Sequence, residues 1–285
     1  MTRAAEETRQ PVRVRRRVVP VRHYGRGALA VLAAAVVALI IYGFAGNPNI
    51  EWPVVGDYLF HADILEGLLR TLEMTALGMV FSLIGATIVA LMRMSPSRVI
   101  SGIAAGYIFV FRGIPLILLL VFVGNVGLFV DRITIGIPFT GLHVFSEPSS
   151  AVLTPFVASV IGLSLAGSGY MAEIVRAGLL AIGRGQRDAA KALGLNSLRT
   201  TRYVVLPQAL RVIVPPMGNE LISMLKATAI VSVIGGGDLL TIAQAISGAN
   251  YRTIELLLVA AVWYFVVIAV LTVGQHYLER RIAER

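Results

Sequence analysis

The chain has 285 residues, of which 56% are hydrophobic and only 14% are charged. A soluble domain carries about 25% charged residues, so this shortage of charge indicates a protein that has lipid as its solvent. Cysteine is absent, which excludes a disulfide framework, a thiolate metal site and a thiol nucleophile. The formal charge of +9 comes from short arginine clusters between apolar runs, a distribution that argues against nucleic-acid binding.

The N-terminal region divides into a basic part and an apolar part. Residues 1–27 carry eight arginines without an apolar pattern, which predicts a disordered cytoplasmic tail. The apolar run at 28–46 is longer than the core of a secretory signal, and no small-x-small cleavage site follows it. We therefore predict an extra N-terminal transmembrane helix at 28–46.

Five further apolar stretches are each near the ~20 residues that a bilayer span requires. They are Leu68–Met92, Ile100–Val130, Leu153–Val175, Ala209–Ile234 and Ile254–Gln275. Gly113 and Pro115 predict a kink in the second of these, and Pro215-Pro216 predict a kink or a break in the fourth. The predicted fold class is all-α, a polytopic membrane protein with membrane lipid around it.

Basic residues predict the topology of these spans. With the N-terminus inside, the inner segments are the tail, residues 93–98, residues 176–211 and the C-terminus. The outer segments are residues 46–66, 131–151 and 235–252. Their basic residues are only Arg132 and Arg252, whereas an inverted chain would place nearly every arginine outside. Both termini are therefore predicted to be cytoplasmic.

The inner loop contains the sequence DAAKALGLNSLRTTRYVVLP at residues 188–207. Its alanines and leucines favour a short helix, with Asp188 near the N-terminus and Gly194 as the C-terminal cap. Leu206-Pro207 is predicted to stop the segment. A short helix with a small apolar face can bind in a groove of a partner protein, and the alternative is an ordinary connector helix.

This segment resembles the "EAA loop" of bacterial ATP-binding-cassette importer permeases. The family pattern is E-A-A-x-x-x-G, a nine-residue gap and I-x-L-P, and here Asp188 replaces the Glu while Val204 replaces the Ile. The resemblance implies a helix that binds a separate ATPase subunit and transmits its closure to the membrane helices. The residues that it assigns to ATPase coupling are Asp188, Ala189, Ala190, Leu193, Gly194, Leu206 and Pro207.

Further motifs resemble the polar amino-acid branch of these permeases, the histidine, glutamine and arginine type. They are GLLRTLE at 67–73, FRGIPL at 111–116, YMAEIVRAG at 170–178, LPQALR at 206–211, PPMGNE at 215–220 and MLKAT at 224–228. The resemblance implies a five-helix, type I permease domain at 60–278 with a cytoplasmic coupling loop at 176–207. It also implies a multi-pass protein of the bacterial cytoplasmic (inner) membrane.

The resemblance implies a transport subunit rather than an enzyme, which carries a polar amino acid or a similar small solute by alternating access. The implied partners are a dimer of ATPase subunits, a second identical or related permease, an extracytoplasmic solute-binding protein and the amino-acid substrate. ATP is then bound by the partner, and this chain needs no cofactor. A secondary transporter or channel that does not depend on ATP is the alternative.

Charged side chains inside the spans are expensive and therefore suggest function. The candidates for a substrate pathway are Glu73, Arg112, Asn219, Glu220 and Lys226. Arg112 and Lys226 suit a substrate carboxylate, and the glutamates suit a cationic group. Internal ion pairs are the alternative for each of them. Glu173 and Arg176 are spaced i,i+3, which favours a local structural pair.

The sequence contains no pattern for catalysis or nucleotide binding. The P-loop pattern G-x-x-x-x-G-K-[ST] and the zinc pattern H-E-x-x-H do not occur. The four histidines are scattered through the tail and the loop ends, so no catalytic or metal-binding cluster is predicted. A membrane-embedded enzyme is disfavoured for the same reason.

Overall fold

The computed structural model of the chain describes residues 24–136 and 143–283. Two compact units are present, residues 1–50 and residues 51–285. In the first unit, helix α1 (Tyr24–Ala45) is apolar along its length, and its side chains from residue 28 to residue 45 are exposed. Most of the predicted basic tail, residues 1–23, lies outside the described residues.

The second unit is a helical bundle with one small hairpin. Its helices are α2 (Trp52–Leu59), α3 (Ala62–Arg93), α4 (Arg98–Gly113), α5 (Leu116–Gly124), α6 (Ser149–Val152), α7 (Pro155–Leu180), α8 (Arg184–Ala192), α9 (Ser197–Thr200), α10 (Leu206–Ala227), α11 (Leu239–Asn250) and α12 (Thr253–Ala283). The antiparallel hairpin is formed by β1 (Arg132–Gly136) and β2 (His143–Pro148). Short turns of 3₁₀-helix lie at Val126–Leu128 and Thr228–Ile234, and a π-helical turn lies at Thr201–Val205.

Several helices are long and apolar enough to cross a membrane. Within the described residues there are five such segments, or six if α4 and α5 are one bent span. The five are Ala28–Ala45, Ala62–Arg93, Pro155–Leu180, Ser197–Ile234 and Thr253–Ile282. The chain is thus an all-α, multi-pass membrane protein, as the sequence predicts.

The second predicted core span is broken rather than kinked. Instead of one helix over Ile100–Val130, α4 and α5 meet at an angle of 101°. Ile114 between them is extended, with φ −74° and ψ 132°, because the proline ring at 115 disfavours a helical residue before it. Pro115 also has no backbone N–H to continue the helical hydrogen bonds of α4.

At Pro215-Pro216, by contrast, the chain remains helical, and α10 continues through both prolines without a break. The Gln275 amide of α12 donates to the Pro215 carbonyl at 3.4 Å, which ties the two helices together at this point. The predicted span Ala209–Ile234 nevertheless ends as α-helix at Ala227, and a 3₁₀-helix completes it.

The core of the bundle is the long contact between α3 and α7, against which α4, α5 and α10 pack. Glycines on α7 permit this close approach. A Cβ atom on Gly162 would lie 2.7 Å from Leu120 Cδ2, and one on Gly167 would lie 2.6 Å from Met224 Cε. Helix α7 is therefore fixed between its neighbours by small residues that larger side chains cannot replace without repacking.

Helix α2, the β1–β2 hairpin and helix α11 were not predicted from the sequence. Gly235 and Gly237 have positive φ angles of 67° and 81°, which glycine adopts readily, and they follow the end of the preceding 3₁₀-helix at Ile234. The buried Asp238 carboxylate then caps α11 by accepting from the Leu240 N–H at 3.0 Å. Burial raises the pKa of this carboxyl, and its hydrogen bonds oppose that rise. Helix α11 packs against α3 and α12.

Candidate functional site

The loop at 176–207 folds into helix α8, helix α9 and the π-helical turn, and it connects α7 to α10. Helix α8 begins after Gly183 and ends at Ala192, so Asp188 lies in its second turn rather than at its N-terminus. Gly194 adopts φ +77°, and the Leu195 N–H donates to the Ala190 carbonyl at 3.0 Å. This is the capping role predicted for Gly194, and it requires glycine because of the backbone angle. The space around its missing Cβ atom is open.

Helix α8 has an inner and an outer face. Ala190 is on the inner face, only 3% exposed, where α8 packs against α9 and the π-helical turn. Asp188 and Ala189 are exposed, and Leu193 just beyond the helix is 81% exposed. The coupling residues assigned by resemblance are therefore not one surface, because Ala190 is already occupied by its own chain.

Leu206 and Pro207 begin α10 and do not stop the segment, so that part of the prediction was wrong. Pro207 is the second residue of α10 and, because it has no N–H, it makes no helical hydrogen bond to the turn before it. Before it the helix widens to a π turn, in which the Leu206 N–H donates to the Thr201 carbonyl. Leu206 is exposed, whereas Val205 beside it is buried.

A cavity of about 340 Å³ lies between the junction of α4 and α5, helix α7 and helix α10. Phe111, Ile114, Tyr170 and Glu220 are among the side chains that line it. A neighbouring cavity of about 500 Å³ shares Tyr170 and is lined also by Arg112 and Glu173. We call the first of these the central cavity.

Arg112 is held at the end of α4 by Tyr170 of helix α7. The guanidinium carbon lies 5.3 Å from the centroid of the tyrosine ring, and the Tyr170 hydroxyl donates to the Arg112 carbonyl at 3.3 Å. Arg112 thus lines the neighbouring cavity and Glu220 lines the central cavity, and Tyr170 lines both.

The other three candidates for the pathway lie elsewhere. Glu73 pairs with Arg70 one turn earlier in α3 at 3.3 Å, and Asn219 accepts from the Gln275 amide at 3.1 Å. Lys226 is exposed and has no ion pair among the side chains that the structure describes. For Glu73, therefore, the alternative prediction of an internal ion pair is the one that the structure shows.

The predicted local pair between Glu173 and Arg176 is confirmed. The Arg176 guanidinium donates to the Glu173 carboxylate through Nη2 at 2.7 Å and through Nε at 2.9 Å. Tyr170 was missed as a functional candidate, although its sequence position offered a signal. It lies one helical turn before Glu173 on α7, which puts both side chains beside Arg112.

Residues 78–284 match the family of binding-protein-dependent transport system inner membrane components. The arginine transport system permease protein ArgU of Corynebacterium glutamicum is 40% identical over 262 residues, which cover 92% of this chain and 81% of that protein. The arginine transport system permease protein ArtQ of Bacillus subtilis is 36% identical, with coverage of 77% of this chain and 92% of that protein.

A solved structure described as an amino acid ABC transporter with histidines superimposes with a TM-score of 0.65 at 36% identity. It covers 77% of this chain and 94% of the matched chain. Inward-facing structures of the MetNI methionine ABC transporter share the fold, with a TM-score of 0.60 at 21% identity. The chain belongs to the binding-protein-dependent transport permease family, and it is a transport subunit of an ATP-driven importer whose ATPase is a separate chain.

Proposed function

We propose that this permease carries a polar amino acid, with a cationic amino acid such as arginine as the first candidate. The observation that carries the proposal is the placement of Arg112 and Glu220 beside adjoining cavities in the membrane part of the bundle. An amino acid presents a carboxylate and an ammonium group, which these two charges complement. The names of the two arginine permeases above support the same substrate class.

The proposal includes an orientation in the inner membrane with both termini in the cytoplasm. The arginine-rich tail and the loop at 176–207 then lie on the side where cytoplasmic loops collect basic residues. A dimer of ATPase subunits binds ATP on that side, and this chain itself needs no cofactor. A second copy of the permease, or a related one, completes the membrane channel, and a solute-binding protein delivers the substrate from outside.

Within this assembly, the outer face of α8 contacts the ATPase. Asp188, Ala189 and Leu193 are available for that contact because no part of the chain that the structure describes covers them. Ala190 and Gly194 act differently, since they fix the inner packing and the C-terminal turn of the helix. Closure of the ATPase dimer pushes on a helix that follows α7 in the chain and packs on the π-helical turn, which in turn packs on α10. Helices α7 and α10 both line the central cavity.

The test is uptake by proteoliposomes that contain the permease, its ATPase and its binding protein. A panel of radiolabelled arginine, lysine, histidine, glutamine and glutamate is compared with ATP inside and, as control, with a nonhydrolysable ATP analogue. We expect ATP-dependent uptake with a preference for a cationic or polar member of the panel. Uptake driven by an ion gradient without ATP would establish a secondary transporter instead. ATP-dependent uptake of a solute outside the amino acids would refute the substrate class alone.

A further inference from the structure

A second polar cavity, distinct from the central cavity, lies between the loop at 176–207 and the ends of α3 and α7. It has a volume of about 300 Å³, and we call it the loop cavity. Its polar lining consists of Arg187, Lys191, Ser197, Thr200 and Thr201. Its apolar lining includes Leu91 and Met94 at the end of α3 and Leu179 at the end of α7.

The two cations of the loop cavity lack counter-charges. No aspartate or glutamate lines the cavity, and neither Arg187 nor Lys191 forms an ion pair within the described residues. They are spaced i,i+4 on α8, a spacing at which like charges repel and destabilise a helix. An anion bound between them would remove that repulsion.

Arg187 also has unused hydrogen-bonding capacity. Its Nη2 donates to the Leu179 carbonyl at 2.9 Å, which fixes the guanidinium beside the end of α7. Its Nε is buried and has no hydrogen-bond partner. A buried donor without a partner is costly, because it has lost its water and gained nothing in exchange. The Ser197 hydroxyl is a further donor in the lining, whereas the Thr200 and Thr201 hydroxyls already donate to the Leu195 and Ser197 carbonyls.

We propose that the loop cavity binds a phosphate group. The Arg187 guanidinium, the Lys191 ammonium and the Ser197 hydroxyl form a donor set that suits a tetrahedral oxyanion. The sources of such a group are the headgroup of an anionic phospholipid and free phosphate. The position of the cavity at the ends of two membrane helices, with apolar side chains on one wall, suits a lipid headgroup. The proposal does not depend on which solute is transported.

The experiment titrates the purified full-length chain in an uncharged detergent with inorganic phosphate and, separately, with short-chain phosphatidylglycerol. Chloride at matched ionic strength is the control for salt. Binding is followed by the shift in melting temperature and, for the lipid, by native mass spectrometry. Binding of the lipid alone identifies a headgroup site, binding of phosphate alone identifies a soluble-anion site, and binding of both identifies the phosphate group as the determinant.

The variant Lys191→Gln tests the assignment, because Lys191 is exposed and its side chain makes no hydrogen bond to the residues that the structure describes. We expect binding to weaken about tenfold, the effect of losing one charge-assisted contact. Arg199→Gln removes an equal charge from the same loop but outside the cavity lining, and binding should persist. Arg187→Gln should also weaken binding if it remains folded. The proposal is overturned if neither probe binds, or if Arg199→Gln weakens binding as much as Lys191→Gln.

Discussion

Gly178 and Ile213 hold together the two helices that flank the loop at 176–207. Gly178 lies near the end of α7 and Ile213 in α10, and both are buried. A Cβ atom on Gly178 would overlap Ile213 Cγ1, lie 2.9 Å from Ile213 Cδ1 and come within 3.4 Å of the Ala209 carbonyl oxygen. Gly178→Ala must therefore move the Ile213 side chain or part the helices.

The packing around Gly178 determines the changes that we expect in the free energy of unfolding. Overpacking of this kind costs about 1–3 kcal/mol, and we expect Gly178→Ala to fall in that range. Ile213→Ala alone should cost about 2–5 kcal/mol because it leaves a cavity beside α7. In the double variant the new methyl group occupies part of that cavity, so its cost should be smaller than the sum of the two single changes by at least about 1 kcal/mol.

The assay is the free energy of unfolding of the purified chain in mixed micelles, measured for the wild type, both single variants and the double variant. Gly102→Ala is the matched control, because it lies on a helix and a Cβ atom there would have no neighbour within 4 Å. Its cost should stay within about 0.5 kcal/mol. Additive costs at 178 and 213, or a large effect of Gly102→Ala, would show that the contact between α7 and α10 is not as described.

Gly194→Ala should lower the free energy of unfolding by about 1–2 kcal/mol and reduce ATPase binding, because the φ of +77° at this position disfavours any side chain. Gly183→Ala is the control and should be tolerated, since Gly183 has a φ of −56°. ATPase pull-down and equilibrium unfolding measure the two effects. Ala189→Asp should weaken ATPase pull-down and leave the melting temperature unchanged, because the residue is exposed. Arg112→Gln should weaken uptake by reconstituted complexes while basal ATP hydrolysis persists. Lys226→Gln should leave both uptake and the stability of the isolated chain unchanged, because Lys226 is exposed, lines neither cavity and has no ion-pair partner within the described residues.

Each of these expectations has a contrary outcome. Equal effects at Gly194 and Gly183 would remove the argument from backbone angle, and normal ATPase binding by Ala189→Asp would exclude the outer face of α8 as the contact. Unchanged uptake in Arg112→Gln would exclude this charge from the substrate pathway, and weakened uptake in Lys226→Gln would show that the pathway extends beyond the two cavities. A lower melting temperature with normal uptake in Arg112→Gln would assign Arg112 a structural role.

Local patterns in the sequence were enough for the membrane class and for the approximate positions of most spans. The thickness of the bilayer sets the number of apolar residues that a span requires, and this number does not depend on which helices the span packs against. The cap at Gly194 and the ion pair between Glu173 and Arg176 were predictable for a similar reason. Both depend on residues within a few positions of each other in the chain.

Only the tertiary structure shows which face of each helix is buried against the rest of the chain. Spacing shows that Ala189 and Ala190 point in different directions, but only the packing of the π-helical turn determines that Ala190 is the buried one. Similarly, the sequence contains several possible partners for each charged side chain in the spans, and it does not show which of them are in contact. Arg112 meets Tyr170, 58 positions later, because α4 ends beside α7. Contacts between residues so distant along the chain follow from the complete arrangement of helices, which no local pattern contains.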